Sequence, residues 1–304
     1  MGMNIVGHEK IISFLEKSIA NDSPAHCYIF SGPNNIGKTA IAQRLAAQLL
    51  QKEPSVSLDF FQIKPVKNSI SKEEADGAIG RLSLTAFGGG YKILIIESAH
   101  LMTISAANAF LKTLEEPPKK TVIILITSEL GKILPTIISR AVVLRFNPVG
   151  KDELKKLLLS KNADEPKNYI NLSFGRPGKI LNFLENKNWQ AEQKEGAMEF
   201  YNLFFGPSAE RLKASAAIFK NKDSQKENIF KKIDFWLELI RDVLLMKYKL
   251  NDNVAHLGEK NILEKISENK AADYFSGLAN RLIKMRSLIK NNINIQLMLE
   301  NLII

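Results

Sequence analysis

The sequence predicts an α/β domain built on a parallel sheet, followed by regions made only of helices. In the first half, short runs that are apolar throughout alternate with stretches of helical period. Strands of that kind are buried on both faces, which requires covering helices and a parallel sheet. From about residue 188 onward no convincing strand remains. With 304 residues and 45% hydrophobic content the chain can build such cores, and it is not a disordered polypeptide.

The elements follow in order. CYIF (27–30) reads as a buried strand. TAIAQRLAAQLL (39–50) puts Ile41, Leu45 and Leu49 four residues apart, the spacing of one helical face. Residues 51–70 are mixed and show no clear period. KILIIE (92–97) is a second strand. SAANAFLKTLEE (105–116) is a helix, stopped by Pro117 and Pro118, which cannot continue its hydrogen bonding. TVIILIT (121–127) and AVVLRF (141–146) complete the strand set, so residues 1–147 form the α/β domain. After NPVG, KDELKKLLLS and PGKILNFLEN are short helices around the turn FGRPGK, a small helical module over 148–187. NIFKKIDFWLELIRDVLLMKY steps through Phe230, Ile233, Leu237, Ile240 and Leu244 at helical spacing. Such a stripe is core, and residues 188–304 read as an all-helical domain.

The formal charge of +10 favours an anionic partner such as nucleic acid or nucleotide, although solvated lysine faces give the same total. One cysteine, Cys27, excludes an intrachain disulfide and a Cys-rich zinc site, and the four histidines lack ligand spacing. Cys27 precedes an apolar run and reads as a small core residue. No basic leader with a long apolar run opens the chain, and no apolar run is long enough to cross a bilayer. The expectation is a cytoplasmic protein with no membrane association.

Gly32, Gly37, Lys38 and Thr39 fit the phosphate-loop pattern G-x-x-x-x-G-K-[ST]. Glycines let the backbone N–H groups of Asn35, Ile36, Gly37 and Ala40 turn inward as an anion nest, and the next helix aims its positive end at the phosphates. Lys38 supplies a point charge, and the Thr39 hydroxyl suits Mg²⁺. The pattern follows one predicted strand and opens one predicted helix, which is its confirming context. In such sites a second strand ends in two acids. The first holds the metal through water and the second activates the attacking water. Here the strand ends in Glu97 and Ser98. Glu97 suits the metal role, whereas a serine hydroxyl is a poor base near neutrality. Loss of a general base costs on the order of 10²- to 10⁴-fold in rate. The expectation is ATP or ADP binding, with magnesium at Thr39 and Glu97, and little or no hydrolysis.

Two long stretches carry a resemblance: IVGHEKIISFLEKSIANDSPAHCYIFSGPNNIGKTAIAQRLA, and GGGYKILIIESAHLMTISAANAFLKTLEEPPKKTVIILITSELGKILPTIISRAVVLRF. They resemble bacterial clamp-loader subunits of the AAA+ class, most of all the delta-prime subunits of DNA polymerase III. LKTLEEPP and LPTIISR are the most specific parts, and the terminal NNINIQLMLENLII is similar to the family's final helix. The resemblance implies a RecA-like core, a helical lid and a helical collar that joins five subunits. It implies partners of the gamma/tau and delta kinds in a hetero-pentamer, acting on a sliding clamp and primer-template DNA. Ser139-Arg140 matches the family's Ser-Arg-Cys motif, with Ala141 replacing the cysteine. The resemblance makes Arg140 a finger reaching into a neighbour's ATP site, and a planar permanent cation suits a transferring phosphoryl group. It also puts Thr127 and Ser128 at the first sensor, Lys179 near the second, and Val6 and Gly7 over the adenine. Lysine at position 179 keeps the charge of the family's arginine but not its fork. The four-cysteine zinc module of many relatives is absent, so no zinc is expected.

Two other classes stay open. A hydrolytic AAA+ ATPase, either a gamma/tau-type subunit or a branch-migration motor, would want an acid where Ser98 stands. A direct DNA-binding module is compatible with the charge, but no helix-turn-helix or finger spacing appears.

Overall fold

The computed structural model describes residues 5–66, 69–87, 89–161, 163, 166–186, 188–219, 225–289 and 294–303. Contacts divide the chain into two compact units, Met1–Asp164 with Ser173–Leu181, and Glu165–Leu172 with Asn182–Ile304.

The first unit is an α/β layer structure. In chain order it holds α1 (Glu9–Ala20), β1 (Cys27–Ser31), α2 (Lys38–Leu50), β2 (Phe60–Ile63), α3 (Lys72–Ser83), β3 (Lys92–Ile96), α4 (Ile104–Glu115), β4 (Thr121–Thr127), α5 (Pro135–Ile138), β5 (Val142–Arg145) and α6 (Lys151–Ser160). The five strands pair in parallel in the order β2-β3-β4-β1-β5. Strand alternation splits the core in two. Cys27, Ile29, Leu94, Ile96, Ile123 and Leu125 face α3 and α4 on one side. Tyr28, Phe30, Ile93, Ile95, Val122 and Ile124 face α2 on the other. This is why β1, β3 and β4 read as apolar throughout. Cys27 is fully buried, and burial pushes its thiol up to about 12, which suits packing and not reactivity.

Local chemistry sets the helix ends. Ser71 and Glu74 form a reciprocal capping box at the start of α3. The buried Lys92 ammonium donates to the Arg81 and Leu82 carbonyls at its far end. Thr103 caps α4 by accepting from the Ala106 N–H.

Two short helices, α7 (Pro166–Ser173) and α8 (Pro177–Glu185), follow, separated by the left-handed residues Phe174 and Gly175. The remaining helices are α9 (Trp189–Phe204), α10 (Ser208–Ile218), α11 (Gln225–Lys247), α12 (Lys260–Asn269), α13 (Ala272–Leu288) and α14 (Ile295–Ile303). No strand occurs among the described residues after 188. The buried line of α11 runs through Ile229, Ile233, Trp236, Leu239, Ile240 and Val243, with Phe230, Leu237 and Leu244 on its flanks. Sequence spacing found the helix but placed its centre line slightly to one side. Trp236 is fully buried, with Phe204 edge-on at 5.5 Å. A buried polar clasp sits beside this core. Asp242 accepts from the Ala255 and His256 N–H groups, lies 2.8 Å from His256 Nδ1, and pairs with Arg241. No described helix is long and apolar enough to cross a membrane.

Candidate functional site

The first unit carries a cavity of about 470 Å³ at the carboxyl ends of its strands. Ligands of parallel α/β sheets bind at this edge, where the crossover loops leave the strands. Asn34, Asn35, Ile36, Gly37, Lys38, Thr39, Ala40, Glu97, Ser98, Ile126 and Gly178 line it. The structure therefore brings the whole loop from Asn35 to Ala40 together with Glu97.

Backbone geometry explains why the loop needs its glycines. Gly32 has φ 155°, and a Cβ there would lie 2.4 Å from the Phe146 carbonyl oxygen, on the neighbouring strand end. Gly37 caps α2 at φ 106°, a conformation L side chains rarely adopt. The first N–H groups of α2 have no intrahelical acceptor, and no acid sits in that turn to compete for them. They form the positive floor of the cavity. Lys38 is 5% exposed and folds over the loop, donating from Nζ to the Gly32 and Pro33 carbonyls at 2.6 Å each. Burial lowers its ammonium to about 8, so it remains mainly charged at neutrality.

Two residues support the loop that pattern reading did not single out, His8 and Gly178. His8, left-handed at φ 63°, bonds through Nε2 to the Ile36 carbonyl at 3.0 Å and stacks at a tilt on Phe146. Burial lowers its pKa. The Gly178 N–H, at the start of α8, donates to the Asn35 carbonyl at 2.8 Å. A Cβ at Gly178 would lie 2.9 Å from that oxygen. Asn35 itself is left-handed, a conformation asparagine tolerates better than most residues.

The other sequence-assigned residues do not line the cavity. Val6 and Gly7 precede His8, and Gly7 is left-handed against Val149. Thr127 is buried, with its hydroxyl accepting from the Glu129 N–H and 3.2 Å from His100 Nδ1. Lys179 lies 5.1 Å from the Phe174 ring centre. Arg140 is engaged by other groups. Its Nη2 donates to Glu115 at 2.7 Å, and its Nη1 donates to the Thr136 carbonyl at 2.9 Å. Glu115 belongs to the LEEPP stretch, so the two most distinctive motifs of the sequence meet in one ion pair.

The metal side differs from the phosphate side. Glu97 follows β3, and its Oε1 accepts from the Gln62 amide and lies 3.5 Å from Lys64 Nζ. Ser98 sits left-handed at φ 49° and offers only a hydroxyl. A divalent cation wants hard oxygen donors with free negative charge. Here Glu97, the carboxylate that would hold the ion through water, is already engaged by Gln62 and Lys64, and Thr39 offers only a neutral hydroxyl. The phosphate groups of a nucleotide fit the cradle, whereas the donor set does not fit a resident magnesium ion. No cluster of three or more metal-ligating side chains occurs among the described residues.

The chain is similar to several subunits of DNA polymerase III. Residues 7–150 match the family model described as DNA polymerase III, delta subunit. The DNA polymerase III subunit delta' of Pseudomonas aeruginosa is 36% identical over 39% of this chain and 42% of its own length. The Bacillus subtilis subunit delta' is 24% identical over 97% of this chain and 94% of its own length. Among solved structures, a DNA polymerase III gamma subunit-related protein from Thermotoga maritima superposes with a TM-score of 0.58. It is 20% identical, covers 97% of this chain and 96% of that one, and establishes the shared fold alone.

Proposed function

We propose that this chain, which falls within the delta-prime family of DNA polymerase III clamp-loader subunits, holds ATP or ADP without hydrolysing it and completes a neighbour's active site with Arg140. The division into a core (1–147), a lid (148–187) and a collar (188–304) belongs to the same reading. So do a cytoplasmic location, a five-membered ring with gamma/tau-type and delta-type neighbours, and action through that ring on a sliding clamp and primed DNA.

One observation carries the reading. A fully formed phosphate cradle faces a strand end where Ser98 stands in place of the acid that would deprotonate water. Bound nucleotide then serves as a structural ligand, stabilising the folded state by mass action. Within the first unit it joins the loop to Gly178 at the start of α8. The Arg140–Glu115 pair is exposed, and pairs of that kind contribute only about 0.2–1 kcal/mol, so a neighbour's triphosphate can draw the guanidinium away. Exposed Leu212, Ile283 and Leu297 give the helical region apolar surface for contacts with other subunits.

The test is nucleotide content and phosphate release of the purified full chain, alone and co-purified with the other loader subunits. The reading expects bound ADP or ATP with no turnover by the chain alone. Rapid phosphate release that Lys38→Ala abolishes would favour a hydrolytic ATPase of the gamma/tau or branch-migration kind.

A further inference from the structure

We infer that the cradle takes its nucleotide without a divalent cation, because the Lys64 ammonium and the Gln62 amide already occupy the carboxylate that would hold the cation. This rests on the nucleotide-holding reading above. Glu97 is fixed by backbone as well as side chain. Its N–H donates to the Ile63 carbonyl at 2.9 Å, which continues the β2–β3 ladder by one residue. That register brings Gln62, within β2, and Lys64, just after it, to Glu97 Oε1. Strand pairing thus sets the Gln62 contact, whereas Lys64 reaches Glu97 from an exposed position. Gln62 and Glu97 are both part-buried, whereas the Lys64 side chain is 66% exposed.

Charge accounting favours the inference. A bare carboxylate beside polyphosphate repels it, and in most phosphate-loop sites the metal ion removes that repulsion. Here an ammonium and an amide do so from the protein itself. Lys38 and Lys64 outnumber Glu97 in charge, and the α2 N-terminus adds a positive floor. A magnesium ion held through water at Glu97 would have to compete with Lys64 and Gln62 for that carboxylate, with the neutral Thr39 hydroxyl as its other donor. Such an ion also dehydrates reluctantly and wants near-octahedral oxygen geometry. A cation-free site suits a subunit that keeps nucleotide as a ligand and does not cleave it.

The experiment is calorimetric titration of ADP into the full-length chain, once in EDTA and once in excess magnesium chloride. The two dissociation constants are expected to agree within about threefold, comparable to the effect of one exposed ion pair. Lys64→Ala, at an exposed position, is expected to weaken binding in EDTA by about two- to fivefold and to regain it with magnesium. Gln62→Leu combined with Lys64→Ala should extend the EDTA loss to about tenfold, because a hydrogen bond to a charged group is lost as well. Wild-type binding that appears only with magnesium would overturn the inference and leave the nucleotide cradle standing. Absence of binding under both conditions would overturn the cradle reading itself. Unchanged EDTA binding in Lys64→Ala and the double variant would remove Gln62 and Lys64 from the account.

Discussion

The turns after β1 and β3 leave the same edge of one sheet, and they have kept different chemistry. After β1, each demanding feature is present: Gly32 where a Cβ would strike the Phe146 carbonyl, Gly37 at positive φ, and Lys38 folded over the loop. After β3, the acid pair is reduced to Glu97, and that residue is tied to Gln62 and Lys64. Gripping a phosphate and breaking one therefore draw on separable residues. Grip comes from backbone geometry and one cation, which survive as long as the loop folds. Cleavage needs a proton acceptor at one position, and a single substitution removes it.

The strongest way to sharpen that contrast uses a third position, Arg140, the proposed finger for a neighbouring subunit. In the reconstituted loader, Arg140→Ala is expected to lower ATP turnover by the neighbouring subunits about 10³-fold, the lower end of arginine-finger effects. Nucleotide content of this chain should not change, since Arg140 does not line its own cavity. Unaltered turnover would remove the finger assignment while leaving both turns as described.

A second substitution attacks the contrast directly. Ser98→Asp returns an acid to the β3 turn, and aspartate tolerates the left-handed backbone at φ 49° better than most residues. Phosphate release by the chain is expected to rise about 10²-fold from its basal level, since general-base help contributes about 10²–10⁴-fold and no neighbour's arginine is present in the isolated chain. A flat response would mean that the engaged Glu97, and not the missing base, keeps the site silent.

How much of this was legible in the sequence depends on whether partners are neighbours along the chain. The phosphate loop is contiguous, so pattern alone placed Asn35 to Ala40. Strands β1, β3 and β4 are buried on both faces and announced themselves as apolar runs. Strand β2 did not, because Phe60–Ile63 lies at the sheet edge, half-buried, within a mixed stretch. Helix α3 carries Gly77 and Gly80 and shows a weak apolar period. Its capping pair, Ser71 and Glu74, was the signal available to find it. The contacts that decide the site span long separations: His8 to Ile36, Asn35 to Gly178, Gln62 to Glu97, Glu115 to Arg140. Each depends on strand order and register, which local periodicity does not encode.

The smallest expected effect is the most diagnostic of the β1 turn, because it has two limbs of opposite sign. Burial lowers Lys38 to about 8 in the folded chain, against its ordinary value of 10.5. Below pH 8 both folded and unfolded states carry the proton, and the penalty of the buried charge is fully present. Between about pH 8 and 10.5 the unfolded state holds more protons, so this residue's contribution to stability rises with pH. Nucleotide binding moves the other way. Phosphate favours the ammonium, so binding in this window takes up a proton, and affinity falls by at most about tenfold per pH unit above 8. Melting temperature of the free chain and ADP affinity, followed from pH 7 to pH 10, should therefore diverge relative to Lys38→Met, which removes both limbs. If the variant shows the same loss of affinity with pH as the wild type, the titrating group lies elsewhere, and the grip of the β1 turn does not depend on the Lys38 charge.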